Sequence, residues 1–277
     1  MKGVVKGVGR REVRRIAGGV TQPAADDDVV VEEPLEIRAA GDTLAVTMRT
    51  PGHDRELAIG FLFAEGVIAS RDDVSRVAHC GRPDQEGYGN TIDVAPAAGA
   101  EFDVERVSLT RRGTLTTAAC GVCGRRSVQD VIDRCAALPE GPVLDAVAVA
   151  AAMEKLRSFQ PNFSRTGGIH AAAALDAELQ PLAAFEDIGR HNALDKVVGA
   201  LVIQGKVPGR EVAVLLVSGR ASFEVVQKAS AARIPIVASV SAASSLAIDL
   251  ARSTGLTLSG FVRNGSMTVY SHPGRLR

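Results

Sequence analysis

The spacing of apolar and polar positions predicts a small α+β domain in the first half of the chain. Leu35–Ala39 and Thr43–Met48 are short strand-like runs joined by a turn that contains glycine, which predicts a β-hairpin. Further short strands are predicted at Val74–Ala78, Thr91–Ala95 and Arg106–Leu109. We therefore expect a small sheet in this part of the chain.

A helix is predicted directly after the hairpin. Thr50 and Pro51 have the residue types that favour an N-cap and the first helical position. Leu57, Phe61 and Leu62 then fall on one face of the helix, which indicates the side that is buried.

The second half of the chain predicts a different architecture, an α/β sheet covered by helices. Asp145 has the residue type of an N-cap, and the apolar residues after it recur at helical spacing. Two strands follow at His170–Leu175 and Leu182–Phe185, and then a core-facing helix over 194–202. Strands at 212–217, 234–239 and 256–262 alternate with helices at 221–232 and 243–254. This β-α-β-α-β order is typical of parallel strands.

A cluster of Pro139, Gly141 and Pro142 separates the two halves, and we place a domain boundary there. The predicted fold class is α/β, or α+β for the chain as a whole. It comprises an N-terminal α+β domain at 29–140 and a C-terminal α/β domain at 141–277. Residues 1–28 are first basic and then acidic, and we expect them to form a disordered tail.

Composition narrows the class of protein. The chain has 277 residues, of which 46% are hydrophobic, enough for one large domain or two ordinary ones. Lysine plus arginine equals aspartate plus glutamate at 32 each, so the overall charge does not indicate nucleic-acid binding. No apolar run has the length of a membrane span, and the basic N-terminus lacks the apolar segment of a secretory signal. We expect a cytoplasmic protein with neither a membrane nor a nucleic-acid partner.

The most informative chemical signal is a pair of thiols, Cys120 and Cys123, in the segment CGVCG. Two arginines lie upstream, at 111 and 112, and two follow directly, at 125 and 126. Nearby guanidinium charge favours the thiolate, which is the form that attacks other sulfur atoms. Glycine on each side removes side-chain bulk and permits many backbone conformations. The segment is therefore predicted to be a mobile, activated thiol loop.

Two other functions are open for these thiols. A zinc-dependent binding module would need four ligands, and His79 and Cys80 could complete a site with Cys120 and Cys123. A dithiol oxidoreductase would use the pair as a redox couple, although that motif usually opens a helix after a strand. Because Cys80 and Cys135 form no second CxxC pair, we expect no metal site.

Charged and amide side chains cluster where a predicted strand passes into a helix. This junction contains Arg190, His191, Asn192 and Lys196, which follow the acidic residues Glu186 and Asp187. Such edges are where α/β sheets bind ligands. Alternatively, Asn192 caps the helix and the acidic residues pair with Arg190 or Lys196.

Two further turns at strand ends indicate an anion site. Ser218, Gly219, Arg220 and Ser222 lie between a predicted strand and a helix, where free backbone N–H groups and a guanidinium suit a phosphate. A second basic segment follows the last predicted parallel strand, and its Asn-Gly pair is typical of a hairpin turn. That segment consists of Phe261, Val262, Arg263, Asn264, Gly265 and Ser266. The turn Ser239–Ser245 is also rich in hydroxyls at a point equivalent to the Ser218 turn, and two such strand–helix turns at one end of a sheet favour a nucleotide-like ligand.

Together these motifs resemble the FdhD family of formate dehydrogenase accessory sulfurtransferases. The resemblance is carried by CGVCG at 120–124, TGGIH at 166–170, EDIGRHNA at 186–193 and SGRASFE at 218–224. With further similarities between these motifs, it extends over residues 35–272.

The resemblance implies a function and its partners. In this family a cysteine desulfurase loads a persulfide onto the first cysteine of the loop, here Cys120, while Cys123 assists. The sulfur then passes to the molybdenum (or tungsten) bis-guanine-dinucleotide cofactor, Mo-bis-MGD, before the cofactor enters formate dehydrogenase. The resemblance also implies a homodimer and a cytidine deaminase-like fold for the C-terminal domain.

The resemblance and the basic sheet edge together give the expected cofactor-binding residues, for which GDP or GTP would be a partial mimic. These residues are Arg190, His191, Asn192, Lys196, Ser218, Gly219, Arg220, Ser222 and the segment Phe261–Ser266.

Overall fold

The structure is a computed structural model that describes residues 7–82, 84–85, 88–104 and 137–277. Cys120 and Cys123, the predicted strand Arg106–Leu109 and Cys135 lie outside the described residues. No helix within the described ranges has both the length and the apolar character needed to cross a bilayer.

The N-terminal half is built mainly from strands. Its elements are β1 Val8–Val13, β2 Ile16–Ala17, β3 Val20–Thr21, β4 Ala25–Val30, β5 Glu33–Ala39, β6 Asp42–Arg49, α1 Asp54–Ala64, β7 Val74–His79 and β8 Thr91–Pro96. The predicted hairpin is confirmed as the antiparallel pair β5 and β6. These strands lie in a four-stranded sheet of order β6-β5-β8-β7, and Leu35, Ile37 and Ala39 of β5 are fully buried on one face.

The prediction of a disordered tail is wrong for residues 7–28, because β1 and β4 form an antiparallel pair. The register places Arg10 opposite Asp28 and Arg11 opposite Asp27, so the basic and acidic runs of this segment face each other. Arg165, from the C-terminal half, also donates to Asp28 at 2.7 Å. Opposite charges across a strand pair stabilise it, and here the two runs are complementary rather than separately solvated.

The predicted helix start at Thr50 and Pro51 is also wrong, since α1 begins at Asp54 with His53 as its N-cap. Thr50 is buried and cannot cap the helix, because it is bonded to the C-terminal half. Its Oγ1 accepts the Ile188 N–H at 3.1 Å, and its own N–H donates to an Asp187 carboxylate oxygen at 3.2 Å. The predicted buried face is correct for Leu57 and Leu62, which lie in the core.

The C-terminal half forms a six-stranded sheet of order β10-β9-β11-β12-β13-β14. Its elements are α2 Ala146–Lys155, α3 Pro161–Thr166, β9 His170–Leu175, β10 Pro181–Asp187, α4 Arg190–Ile203, β11 Val214–Val217, α5 Phe223–Ala231, β12 Ile236–Ser239, α6 Ser245–Thr254, β13 Thr257–Arg263 and β14 Ser266–Ser271. β11, β12 and β13 are parallel, as the alternation of strands and helices predicts. β9 pairs antiparallel with β11, and β14 pairs antiparallel with β13.

Both faces of the six-stranded sheet are buried. Ala171 and Ala173 of β9 face one core, which contains Val149 and Met153 of α2. Ala172 and Ala174 of β9 face a larger core, which is formed by α1, α4, α5, α6 and the four-stranded sheet. This larger core contains side chains from both halves of the chain. Because successive side chains of a strand point to opposite faces, β9 contributes residues to both cores.

Glycines bring α1 and α4 into close contact. A Cβ added to Gly60 of α1 would overlap the carbonyl oxygen of Asp195. A Cβ added to Gly199 of α4 would overlap the carbonyl oxygen of Glu56. The absence of side chains at these two positions therefore sets the spacing between α1 and α4.

We expect Gly199→Ala to destabilise the protein by about 1–3 kcal/mol or more, because the helices must separate to admit a methyl group. Denaturant unfolding of the full chain measures this change. Gly274→Ala is the matched control, since nothing lies within 4 Å of a Cβ at that position. The control should change the unfolding free energy by less than about 0.5 kcal/mol. Equal effects of the two substitutions would contradict the close helix contact.

Candidate functional site

A cavity of about 800 Å³ lies at the edge of the six-stranded sheet where the parallel strands end. Ser218 follows β11, Val240 follows β12, and Val262 and Arg263 end β13; all four line the cavity. His170 also lines it, because β9 is antiparallel to β11 and begins at the same edge. The other walls come from α2, α3 and the turns after them. Crevices at the carboxyl ends of parallel strands are the usual ligand sites of α/β folds.

The turn after β11 is held in place by hydroxyl groups. The Ser218 hydroxyl accepts the Ala171 N–H at 2.8 Å, which ties the turn to β9. The Ser239 hydroxyl donates to the Gly219 carbonyl at 2.6 Å and ties it to β12. Three neighbouring strands therefore fix the backbone at the cavity mouth, so a ligand would meet a preformed surface.

Guanidinium groups give this edge a positive character. Arg157 and Arg263 line the cavity, and Arg220 is exposed at the end of the turn that begins at Ser218. Arg190 packs against Gly219 through its aliphatic carbons. The Arg190 Nε is buried, and no acceptor among the described residues bonds to it. A buried donor without a partner is unfavourable, and an anion bound at this edge would supply the missing acceptor.

His170 adds no charge to the edge near neutral pH. Burial, together with the neighbouring Arg190 charge, lowers the pKa of His170 below its ordinary value. The imidazole is therefore neutral at pH 7, where it can donate or accept one hydrogen bond to a ligand.

The segment Phe261–Ser266 confirms the predicted hairpin turn. Asn264 and Gly265 have positive φ of 50° and 71° and connect β13 to β14. The Asn264 N–H donates to Glu154 of α2 at 3.1 Å, so this turn is fixed to the cavity wall. Phe261 and Arg263 are exposed, whereas Val262 is 1% exposed and belongs to the core beneath the cavity.

Two of the predicted site residues on α4 are buried away from this cavity. Lys196 is 1% exposed, and its Nζ lies 2.7 Å from the Asp187 carboxylate and 3.0 Å from the Thr50 carbonyl oxygen. Asn192 donates to the Met48 carbonyl at 2.8 Å and to Asp187 at 3.1 Å. It does not cap the helix, because Gly189 is the N-cap. Asn192 connects α4 to the end of β6 and Lys196 connects it to Thr50 directly after β6, so both side chains hold α4 against the N-terminal half rather than line the cavity.

His191 lies in a buried polar cluster that is separate from the cavity. Its Nδ1 lies 2.9 Å from Glu224 and its Nε2 lies 3.1 Å from the Ser222 hydroxyl. Lys228 lies 3.5 Å from Glu224 and donates to Asp195 at 2.7 Å. Burial raises the pKa of Asp195 to about 6, although Lys228 acts to lower it. The signal in the sequence was the opposite charges of Glu224 and Lys228, which lie one helical turn apart on α5.

The described residues contain no group of His, Cys, Asp and Glu side chains that could hold a metal ion. The His79 ring lies 3.3 Å from the Thr91 carbonyl and 3.5 Å from Asp54. Cys80 is a half-buried free thiol. The zinc alternative also requires Cys120 and Cys123, which lie outside the described residues.

Comparison with known proteins gives a consistent result over nearly the whole chain. Residues 30–277 match the model of the FdhD/NarQ family. A protein named sulfur carrier protein FdhD from Anaeromyxobacter dehalogenans (strain 2CP-1) is 54% identical over 274 residues, which cover 97% of this chain and 93% of that protein. A protein of the same name from Nocardia farcinica is 46% identical and covers 97% of this chain and 94% of that protein.

A solved structure has the same fold. It is the crystal structure of a candidate formate dehydrogenase accessory protein from Desulfotalea psychrophila, with a TM-score of 0.76. The match covers 98% of this chain and 100% of that chain at 22% sequence identity. This likeness confirms the mixed α/β architecture.

Proposed function

Because the chain belongs to the FdhD/NarQ family, we propose that it is a sulfur carrier required for formate dehydrogenase activity. In this proposal it accepts persulfide sulfur from a cysteine desulfurase. It then transfers the sulfur to the Mo-bis-MGD cofactor, or its tungsten counterpart, before the cofactor enters formate dehydrogenase. The observation that carries the cofactor part is the cavity at the carboxyl edge of the parallel strands, with its guanidinium groups.

The thiols of CGVCG supply the transfer chemistry. The Cys120 thiolate attacks the outer sulfur of the donor's persulfide, a new S–S bond forms on Cys120, and the donor cysteine leaves as a thiolate. The protein acts as a sulfurtransferase through this persulfide. Cys123 is positioned in sequence to relay the sulfur or to resolve the persulfide as a disulfide.

The cavity edge fits the guanine dinucleotide part of the client cofactor. Its volume of about 800 Å³ is within the range of small-molecule sites. Arg263 and Arg220 offer guanidinium donors for phosphate oxygens, and the buried Nε of Arg190 lacks an acceptor among the described residues. The neutral His170 and the hydroxyl-bearing turn at Ser218 add hydrogen-bonding groups beside these cations.

We expect GDP to bind this edge and Arg220→Ala or Arg263→Ala to weaken binding by about 1.5–3 kcal/mol each, because a charged hydrogen bond to phosphate is lost. Isothermal titration calorimetry measures the change. Arg252→Ala is the matched control: this arginine is exposed in the last turn of α6, at the opposite edge of the sheet. A chain without guanine nucleotide affinity would contradict the proposal and favour a dithiol oxidoreductase.

We also propose finer features of the fold and assembly. Residues 141–277 would form a cytidine deaminase-like domain, which the parallel strands β11, β12 and β13 with antiparallel β9 support. The protein would act as a homodimer. Sulfur transfer needs Cys120 as a free thiolate, which a reducing compartment preserves, so we propose a cytoplasmic location. Light scattering of the purified chain tests the dimer.

A further inference from the structure

Ser222 is the N-cap residue of α5, yet its hydroxyl makes no capping hydrogen bond. An N-cap serine normally accepts a hydrogen bond from a backbone N–H in the first turn of its helix. Ser244, the N-cap of α6, does so with the Ala247 N–H at 3.3 Å. The Ser222 hydroxyl lies instead 3.1 Å from His191 Nε2. It is therefore directed at an imidazole rather than at its own helix.

The other ring nitrogen of His191 faces a carboxylate. His191 Nδ1 lies 2.9 Å from Glu224 Oε2, and the two residues are only 4% and 7% exposed. This contact is electrostatic and not a hydrogen bond, because the buried Glu224 Oε2 has no hydrogen-bond partner among the described residues. Its negative charge favours the tautomer with the proton on Nδ1, which leaves the Nε2 lone pair to accept a hydroxyl proton. Ser222, His191 and Glu224 thus have the order and spacing of a serine–histidine–carboxylate triad.

Glu224 remains ionised at neutral pH despite its burial. Burial acts to raise the pKa of Glu224, but the Lys228 ammonium and His191 outweigh it and lower the pKa below its ordinary value. Lys228 is itself held by two contacts to Asp195, at 2.7 and 2.9 Å. The carboxylate that orients His191 is therefore fixed in both position and charge.

We propose that Ser222 is a nucleophile activated by His191, with Glu224 as the positioning residue, and that it reacts with carboxylic esters or thioesters that carry an anionic group. This activity goes beyond sulfur transfer. The anionic group is specified by Arg220, which is exposed two positions before Ser222, and by Arg190, next to His191 in the chain, whose buried Nε has no acceptor among the described residues.

The reaction follows from this arrangement. Ser222 Oγ forms a bond to the carbonyl carbon while His191 Nε2 takes the hydroxyl proton. The C–O or C–S bond to the leaving group then breaks, and the leaving group receives that proton from His191. Water attacks the acyl-serine in the same way, with His191 accepting and returning a proton, and releases the carboxylic acid.

A fluorophosphonate probe tests the proposal on the full chain without sulfur donor or nucleotide, so the result is independent of the proposed sulfur transfer. Activated serines displace fluoride from this probe: the Oγ–P bond forms, the P–F bond breaks, and the histidine takes the proton. Peptide mass spectrometry should locate the phosphonyl group on Ser222 and not on Ser244. Ser222→Ala should abolish the labelling, whereas Ser244→Ala should retain it.

The role of His191 is tested by the labelling rate. His191→Ala should lower the rate by about 10²-fold or more, the usual contribution of a general base. Glu224→Gln keeps the side-chain shape and should also lower the rate, while Glu224→Asp restores part of it; thermal unfolding confirms that each variant is folded. Absence of label on Ser222 in the unmodified chain, equal labelling of Ser222 and Ser244, or an unchanged rate in folded Glu224→Gln would each overturn the proposal.

Discussion

Cys120→Ala is expected to abolish persulfide loading and the maturation of formate dehydrogenase. The purified chain would be incubated with a cysteine desulfurase and cysteine, and the added sulfur, about 32 Da, located by peptide mass spectrometry. In the unmodified chain we expect this mass on Cys120, because the resemblance to FdhD proteins assigns the persulfide to the first cysteine of the loop. Because this assignment gives the attacking sulfur atom to Cys120 alone, the loss should be essentially complete.

Single cysteine variants provide the controls for this experiment. Cys123→Ala should still load sulfur on Cys120 but transfer it poorly, since Cys123 is assigned a supporting role. Cys80→Ala and Cys135→Ala should behave like the unmodified chain. Label that persists in Cys120→Ala and disappears in Cys123→Ala would reverse the order of the two thiols. Label found only on Cys80 or Cys135 would exclude the loop as the sulfur carrier.

Lys196→Met is expected to destabilise the folded chain by about 3–5 kcal/mol, because it leaves the Asp187 carboxylate buried without its counter-ion. Asp187 is 0% exposed and Lys196 is 1% exposed, so water cannot solvate the remaining charge. The Lys196 ammonium also bonds the Thr50 carbonyl, so the contact between α4 and the segment after β6 is weakened as well. Denaturant unfolding of the full chain measures the change in free energy.

Arg165→Met is the control for this substitution. Arg165 forms an ion pair with Asp28 at 2.7 Å, but the two side chains are 37% and 25% exposed. Water can replace such a contact, and we expect a loss below about 1 kcal/mol. A loss for Lys196→Met as small as that of the control would show that the buried pair adds nothing to stability.

The order of elements in the C-terminal half could be predicted because it depends on short-range patterns. β11 is a continuous apolar run that is buried on both faces, and its partners β12 and β13 are spaced by helices as parallel strands require. Asp145 caps α2 as its residue type indicates, accepting the Val147 N–H at 2.8 Å. Local chemistry and tertiary structure agree at these positions.

The predictions failed where a residue has a distant partner. Thr50 has the residue type of an N-cap, but its hydroxyl accepts from Ile188, and the helix begins at Asp54 instead. Asp28 belongs to a segment that is polar enough to be disordered, yet it is ordered by pairing with β1 and by Arg165. Propensity describes what a segment favours alone, and a contact across the fold can outweigh it.

The sequence by itself determined the family and the order of strands and helices in the C-terminal half, since these depend on residue identity and spacing. It could not determine which polar residues of α4 are buried, because their burial depends on the four-stranded sheet and α4 packing together in the folded chain. Lys196 and Asn192 are enclosed between α4 and residues 48–50 at the end of β6, while Arg190, on the same helix, packs against Gly219 at the sheet edge. The meeting of Ser222 with His191, 31 positions apart, was likewise decided by the packing of α5 against α4.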